Sequence, residues 1–146
     1  QWPSIAGQPR LFIENQLVII REGLRDVPTM KAVMGTMSDA DISAVAGHYS
    51  ALPKIPMASA VRQDQRLRGA EISRRALCGT CHLADYTGQN QVPRLAGQNE
   101  AYLLTALKQF RDHPGPGRDT IMSATLMGMT DRDLEDLAHY FAVSRP

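Results

Sequence analysis

Pro93-Arg94-Leu95-Ala96-Gly97-Gln98 repeats a stretch met 90 positions earlier, Pro3-Ser4-Ile5-Ala6-Gly7-Gln8. At the same offset Phe12 aligns with Tyr102, Leu17 with Leu107, Ile20 with Phe110 and Arg21 with Arg111. A second block, Met37-Ser38-Asp39-Ala40-Asp41-Ile42, aligns with Met129-Thr130-Asp131-Arg132-Asp133-Leu134 at an offset of 92. The drift between the two offsets falls in the intervening loop, where insertions are tolerated. Matches in the same order along the chain define two copies of one small module. The division expected is a first module over 1–52, a linker over 53–60 and a second module over 61–146. Pro53 and Pro56 interrupt any helix in the linker. The copies are unequal: a helix-like stretch precedes the first matched block in the second copy and has no counterpart in the first.

The expected fold is all-α. Tyr102, Leu103, Ala106, Leu107 and Phe110 recur at helical spacing. Thr130-Asp131-Arg132-Asp133 reads as a variant capping box that opens a helix with Leu134, Leu137, Ala138 and Phe141 facing inward. Ser38-Asp39-Ala40-Asp41 does the same in the first copy. His113-Pro114-Gly115-Pro116-Gly117 reads as a turn, and no alternating run is long enough for a sheet. Hydrophobic residues make up 43% and charged residues 21% of 146 residues, which excludes wholesale disorder. A net charge of +1 lacks the basic field of a dedicated nucleic-acid binder. No apolar run is long enough to span a bilayer. The chain starts at Gln1 without a charged-then-apolar leader, so we expect a processed or truncated product.

The chain has two cysteines, and both lie in Cys78-Gly79-Thr80-Cys81-His82. This is the attachment signature of c-type haem: two thiols add to the porphyrin vinyl groups and the adjacent His becomes an axial ligand. One helical turn separates the sulfurs, leaving His82 to point at the metal. The rivals fit less well. A thioredoxin-like pair wants a preceding strand, a structural zinc site wants four ligands, and a plain disulfide leaves His82 without a purpose.

The iron then needs a sixth ligand, and Met122, Met127 and Met129 lie downstream. Met129 precedes the Thr130 cap and faces Leu134 in a hydrophobic staple, as Met37 faces Ile42. Met127 falls opposite Gly35 and is not shared by the two copies. Met122 falls opposite Met30, and neither is explained by a cap. Met122 is therefore the expected ligand, against the plain alternative that both fill core gaps.

These residues resemble class I cytochromes c, specifically the two-domain dihaem cytochromes c4, over nearly the whole chain. The resemblance rests on the haem motif, on Pro-x-Leu-Ala-Gly-Gln after it, on Tyr-Leu-x-x-x-Leu-x-x-Phe-Arg, and on the Met block before the last helix. It implies that the Pro93 carbonyl holds the free nitrogen of His82, and it too assigns the methionine ligand to Met122. The departure is that the first copy carries no haem motif and no N-terminal helix, yet keeps Met30. Either upstream residues hold another motif, with Met30 ligating a second haem, or the first haem has been lost. Packing of a first helix on the last in such folds favours a missing N-terminus.

Several side chains have two readings. Arg62, Arg66, Arg68, Arg74 and Arg75 form either a docking face for an acidic partner or a solvated helix face. His48, His113 and His139 read as surface or boundary residues. Tyr102 and Arg111, with Phe12 and Arg21, line a haem edge or propionate, or else serve core packing and a helix-end charge.

The leading functional expectation is a single-electron carrier and not an enzyme, because a His/Met-ligated iron has no open position for substrate. The resemblance implies a quinol-oxidising complex and a terminal oxidase as partners, with a periplasmic location. The alternative is a cytochrome subunit of a larger oxidoreductase, as in flavocytochrome c sulfide dehydrogenases. A haem peroxidase or gas sensor requires Met122 to be off the iron.

Overall fold

The computed structural model describes residues 2–145, and every described helix is short. They run α1 (Arg10–Arg21), a 3₁₀ turn (Pro28–Met30), α2 (Lys31–Met34), α3 (Asp39–Ala51), α4 (Gln63–Arg75), α5 (Cys78–His82), α6 (Glu100–Asp112), α7 (Thr120–Leu126) and α8 (Asp131–Val143). Among the described residues there is no strand, only an isolated bridge between Gln89 and Val92.

Local chemistry accounts for the helix starts. Thr130 Oγ1 accepts from Asp133 N at 3.2 Å, and the Asp133 carboxylate accepts from Thr130 N at 2.8 Å. Ser38 and Asp41 form the same reciprocal pair at the head of α3. Each box satisfies two of the backbone donors that a helix start leaves unpaired.

Two cores follow the repeat. The first buries Ile13, Leu17, Met34, Ile42 and Ala46. The second buries their counterparts Leu103, Leu107, Leu126, Leu134 and Ala138, and adds Ile72, Leu137, Phe141 and Ala142. The additions lie on α4 and α8, which pack together. Val45 and Tyr49, the positions equivalent to Leu137 and Phe141, are only partly buried in the first module. Extra burial in the second module is thus the work of α4, which covers a face of α8 that α3 leaves open.

The α4–α8 crossing depends on Gly69, where an added Cβ would lie 2.2 Å from Asp136 O. Beside it Arg68 forks onto the buried Asp136 carboxylate at 2.6 and 2.9 Å. Because α8 is held between α4 and α6, it buries more than one stripe, and the surface or boundary position expected for His139 is incorrect. His139 is 0% exposed. Its Nε2 accepts from Arg62 N at 2.9 Å and its Nδ1 donates to Glu100 at 3.1 Å. His48 and His113 are exposed.

The repeat extends to tertiary hydrogen bonds. Gly7 N donates to Tyr49 O at 2.8 Å and Gly97 N to Phe141 O at 3.0 Å. Arg21 Nη1 donates to Met37 O at 3.2 Å and Arg111 Nη1 to Met129 O at 2.9 Å. Each arginine also pairs with the first aspartate of the following capped helix, Asp39 or Asp131. Arg21 and Arg111 therefore lock a helix end to a cap, which is their helix-end reading. Four of the five arginines before Cys78 are likewise paired at home, Arg62 with Glu100, Arg68 with Asp136, and Arg74 and Arg75 with Glu71, while Arg66 donates to Gln63.

Candidate functional site

The site is built from a break between two helices. α4 ends at Arg75, and Leu77 takes a left-handed φ of 57°, so the chain restarts as the single turn α5. That turn places Cys78 and Cys81 three residues apart on one face. Both thiols are free, Cys78 half-buried and Cys81 exposed. Burial pushes the Cys78 thiol pKa up, against a hydrogen bond with Ser73 that lowers it.

His82 closes the turn and is 3% exposed. Its Nδ1 donates to Pro93 O at 2.8 Å. This bond puts the ring proton on Nδ1 and leaves the Nε2 lone pair free. Among the described residues no hydrogen bond engages Nε2. Burial holds the His82 pKa below its ordinary value, with the Pro93 carbonyl and the Asp119 charge opposing. Burial thus favours the neutral imidazole, the form that a metal binds.

Pro93 reaches His82 because the loop after α5 doubles back. Leu95 N and Ala96 N both donate to Tyr86 O, and Gly88 N donates to His82 O at 3.1 Å. Gly88 has a φ of +74°, and an added Cβ would lie 2.5 Å from Pro93 C. Glycine is required there on both counts.

Met122 sits in the first turn of α7, half-buried against the second core, as do Cys78, Tyr86 and Leu95. Asp119 caps this helix by accepting from Met122 N at 2.9 Å, and its charge is the one that acts on His82. Met127 is 76% exposed, whereas Met129 packs on the core ahead of its cap. Met30 lies in the other module, packed against the first core, so the structure groups it apart from His82.

Sequence reading missed the residues behind Pro93. Arg94 is 1% exposed although it has no carboxylate partner. Its guanidinium donates to Ala96 O at 2.6 Å and across the module boundary to Ala6 O at 3.0 Å, and its Nε has no partner. Gln8 is also buried and bonds the Arg94 backbone. Both lie in the repeated block, which was legible, but nothing in it signalled their burial.

Two free thiols one turn apart, an imidazole with Nε2 unengaged and a thioether on the same module form a donor set suited to covalent haem. They do not suit a zinc cage: among the described residues no three His, Cys, Asp or Glu side chains come together as a metal site. The family profile for cytochrome c matches residues 67–142, more than half of the chain. The chain belongs to the cytochrome c family. It is of the two-domain c4 type. The cytochrome c4 structure from Acidithiobacillus ferrooxidans superimposes with a TM-score of 0.83 at 25% identity, covering 97% of this chain and 88% of that one. A cytochrome c4 of Pseudomonas aeruginosa is 40% identical over 73 residues, 48% of this chain and 34% of that protein. A protein of Thiomonas intermedia named "Thiosulfate dehydrogenase electron acceptor" is 27% identical over 151 residues, spanning 97% of this chain and 70% of that protein. As a cytochrome c of this type, the protein is an electron carrier bearing covalent haem c. No described helix is long and apolar enough to cross a membrane.

Proposed function

We propose that the protein transfers single electrons through one haem held by Cys78, Cys81, His82 and Met122, and delivers them between periplasmic redox proteins. The observation that carries the ligand assignment is the Nδ1–Pro93 bond, which orients a neutral His82 and leaves Nε2 for the iron. Bound haem supplies a one-electron iron couple.

The chain's own residues do the rest. Cys78 and Cys81 would fix the group to a single helical turn, Pro93 holds the imidazole ring, and Met122, on a helix anchored by Asp119, would give its thioether to the iron. With His82 and Met122 both given to the iron, the group would serve one-electron transfer. Where the first module carries a second haem, Met30 is its methionine ligand, since it is the repeat counterpart of Met122. The name of the Thiomonas relative points to a thiosulfate dehydrogenase as one class of electron donor.

Intact mass of the denatured protein, with a pyridine haemochrome count, tests this reading. The expected result is one covalent haem on the segment that carries Cys78 to His82, with a reduced low-spin spectrum that carbon monoxide leaves unchanged. No covalent haem would overturn it. A second haem and a larger mass would extend the ligand set to Met30.

A further inference from the structure

The peptide group between Pro93 and Arg94 is held at both ends. Its carbonyl accepts from His82 Nδ1 at 2.8 Å, and its N–H donates to Gln8 Oε1 at 2.8 Å. Gln8 belongs to the other module, 86 positions away, and is 4% exposed. Its Nε2 donates to Arg94 O at 3.0 Å, so one side-chain amide pairs with both backbone groups of Arg94. The arrangement is reciprocal. Gln98 Oε1 accepts from Ser4 N at 2.7 Å and Gln98 Nε2 donates to Ser4 O at 2.8 Å. Ser4 is the repeat counterpart of Arg94, as Gln8 is of Gln98. Each module therefore grips the peptide that follows the other's proline.

We propose that Gln8 of the first module is a positioning residue for the His82 iron ligand of the second, acting through the Pro93–Arg94 peptide. The inference rests on the haem ligation proposed above. An amide whose N–H is bonded to an acceptor carries more negative charge on its oxygen, because linked hydrogen bonds polarise one another. The Pro93 oxygen then takes a stronger bond from His82, and the imidazole becomes a more basic ligand. A more basic ligand favours ferric iron, so the clamp lowers the reduction potential. Docking of the modules thereby sets a property of the iron without touching it.

The test compares Gln8→Ala with Gln98→Ala in the holoprotein. Both remove one side of the reciprocal interface, but only the first frees the Pro93–Arg94 N–H. The wild type is first checked for covalent haem and a low-spin spectrum; their absence would overturn the haem reading itself, and with it this inference. Gln8→Ala is expected to favour the ferrous state threefold or more, about 28 mV at 59 mV per tenfold for one electron. It should also weaken the His82 Nδ1–H bond, seen as an upfield shift and faster exchange of that proton in NMR spectra of the reduced protein. Gln98→Ala, at a similar loss of melting temperature, should leave that proton in place. Gln8→Glu, which keeps an acceptor for the Arg94 N–H but loses the donor to Arg94 O, should not reproduce the upfield shift of the alanine variant, even if that variant folds poorly. Equal shifts from Gln8→Ala and Gln98→Ala, no shift from either, or a Glu variant that moves the proton as far as Ala would overturn the proposal.

Discussion

At the scale of single residues, the site separates three downstream methionines by what surrounds them. Met129 serves its cap, Met127 is open to solvent, and Met122 is half-buried in a helix whose cap also acts on His82. Met122→Leu is expected to turn the reduced protein high-spin and reactive toward carbon monoxide, while Met127→Leu leaves the spectrum unchanged. The reverse pattern would remove Met122 from the iron. The capping boxes carry a pH dependence of definite sign. Hydrogen bonds from the Thr130 hydroxyl and backbone hold the Asp133 carboxyl below its ordinary value of 3.8. The Ser38 hydroxyl and backbone do the same to Asp41. A carboxyl depressed by folding stabilises the native state above its unfolded pKa, and that contribution disappears as pH falls through the folded value. Melting temperature should be flat near neutrality and fall below about pH 4. Asp133→Asn should make that fall shallower, and an unchanged profile would remove the box as its source.

Among the elements, α8 bears the most. It is capped at Thr130, packs on α6, and meets α4 so closely that Gly69 admits no side chain. Gly69→Ala would drive a Cβ into Asp136 O and Tyr140 Cβ, and overpacking of this kind costs about 1–3 kcal/mol. Denaturant unfolding of the holoprotein measures it, and a change below about 0.5 kcal/mol, the size of an ordinary surface substitution, would mean that the helices separate freely. His139 is the polar counterpart of this crossing. It binds the chain before α4 and the Glu100 carboxylate of α6 to α8, so one imidazole secures three segments. His139→Ala leaves the Arg62 N–H and the Glu100 carboxylate without that partner, a loss of about 1–3 kcal/mol. His139→Gln, which can supply both an acceptor and a donor, should recover part of it.

Across the whole molecule, the two modules differ in self-sufficiency. The first buries five apolar side chains and the second nine, although five positions correspond one to one. The difference is the α4–α8 face. A segment of this length with so small a core lies near the limit for independent folding. Residues 1–52 expressed alone should show no cooperative thermal transition by circular dichroism, whereas 61–146 with haem attached should. A cooperative melt of the isolated first segment would show that its core suffices. In the intact chain the first module is held by contacts with the second, through Gln8, Gln98, Arg94 and the bond from Phe12 N to Asn90 O.

What the sequence determined by itself is what lies within a few residues or repeats along the chain. A haem signature is one helical turn, a capping box spans four residues, and a tandem repeat can be aligned without coordinates, so the all-helical class, the Cys78-to-His82 turn and the paired helix starts were all readable. The Pro93 bond to His82 was anticipated only through a family resemblance, because a loop must first fold back over Gly88 to make it. The burial of His139 and Arg94 and the grip of Gln8 on the Pro93–Arg94 peptide were decided by tertiary structure alone. Each depends on groups far apart in sequence, 39 positions for His139 with Glu100 and 86 for Gln8 with Arg94. Helical periodicity describes one buried stripe, and it cannot anticipate a helix enclosed on two sides or a backbone group whose partner sits on another module.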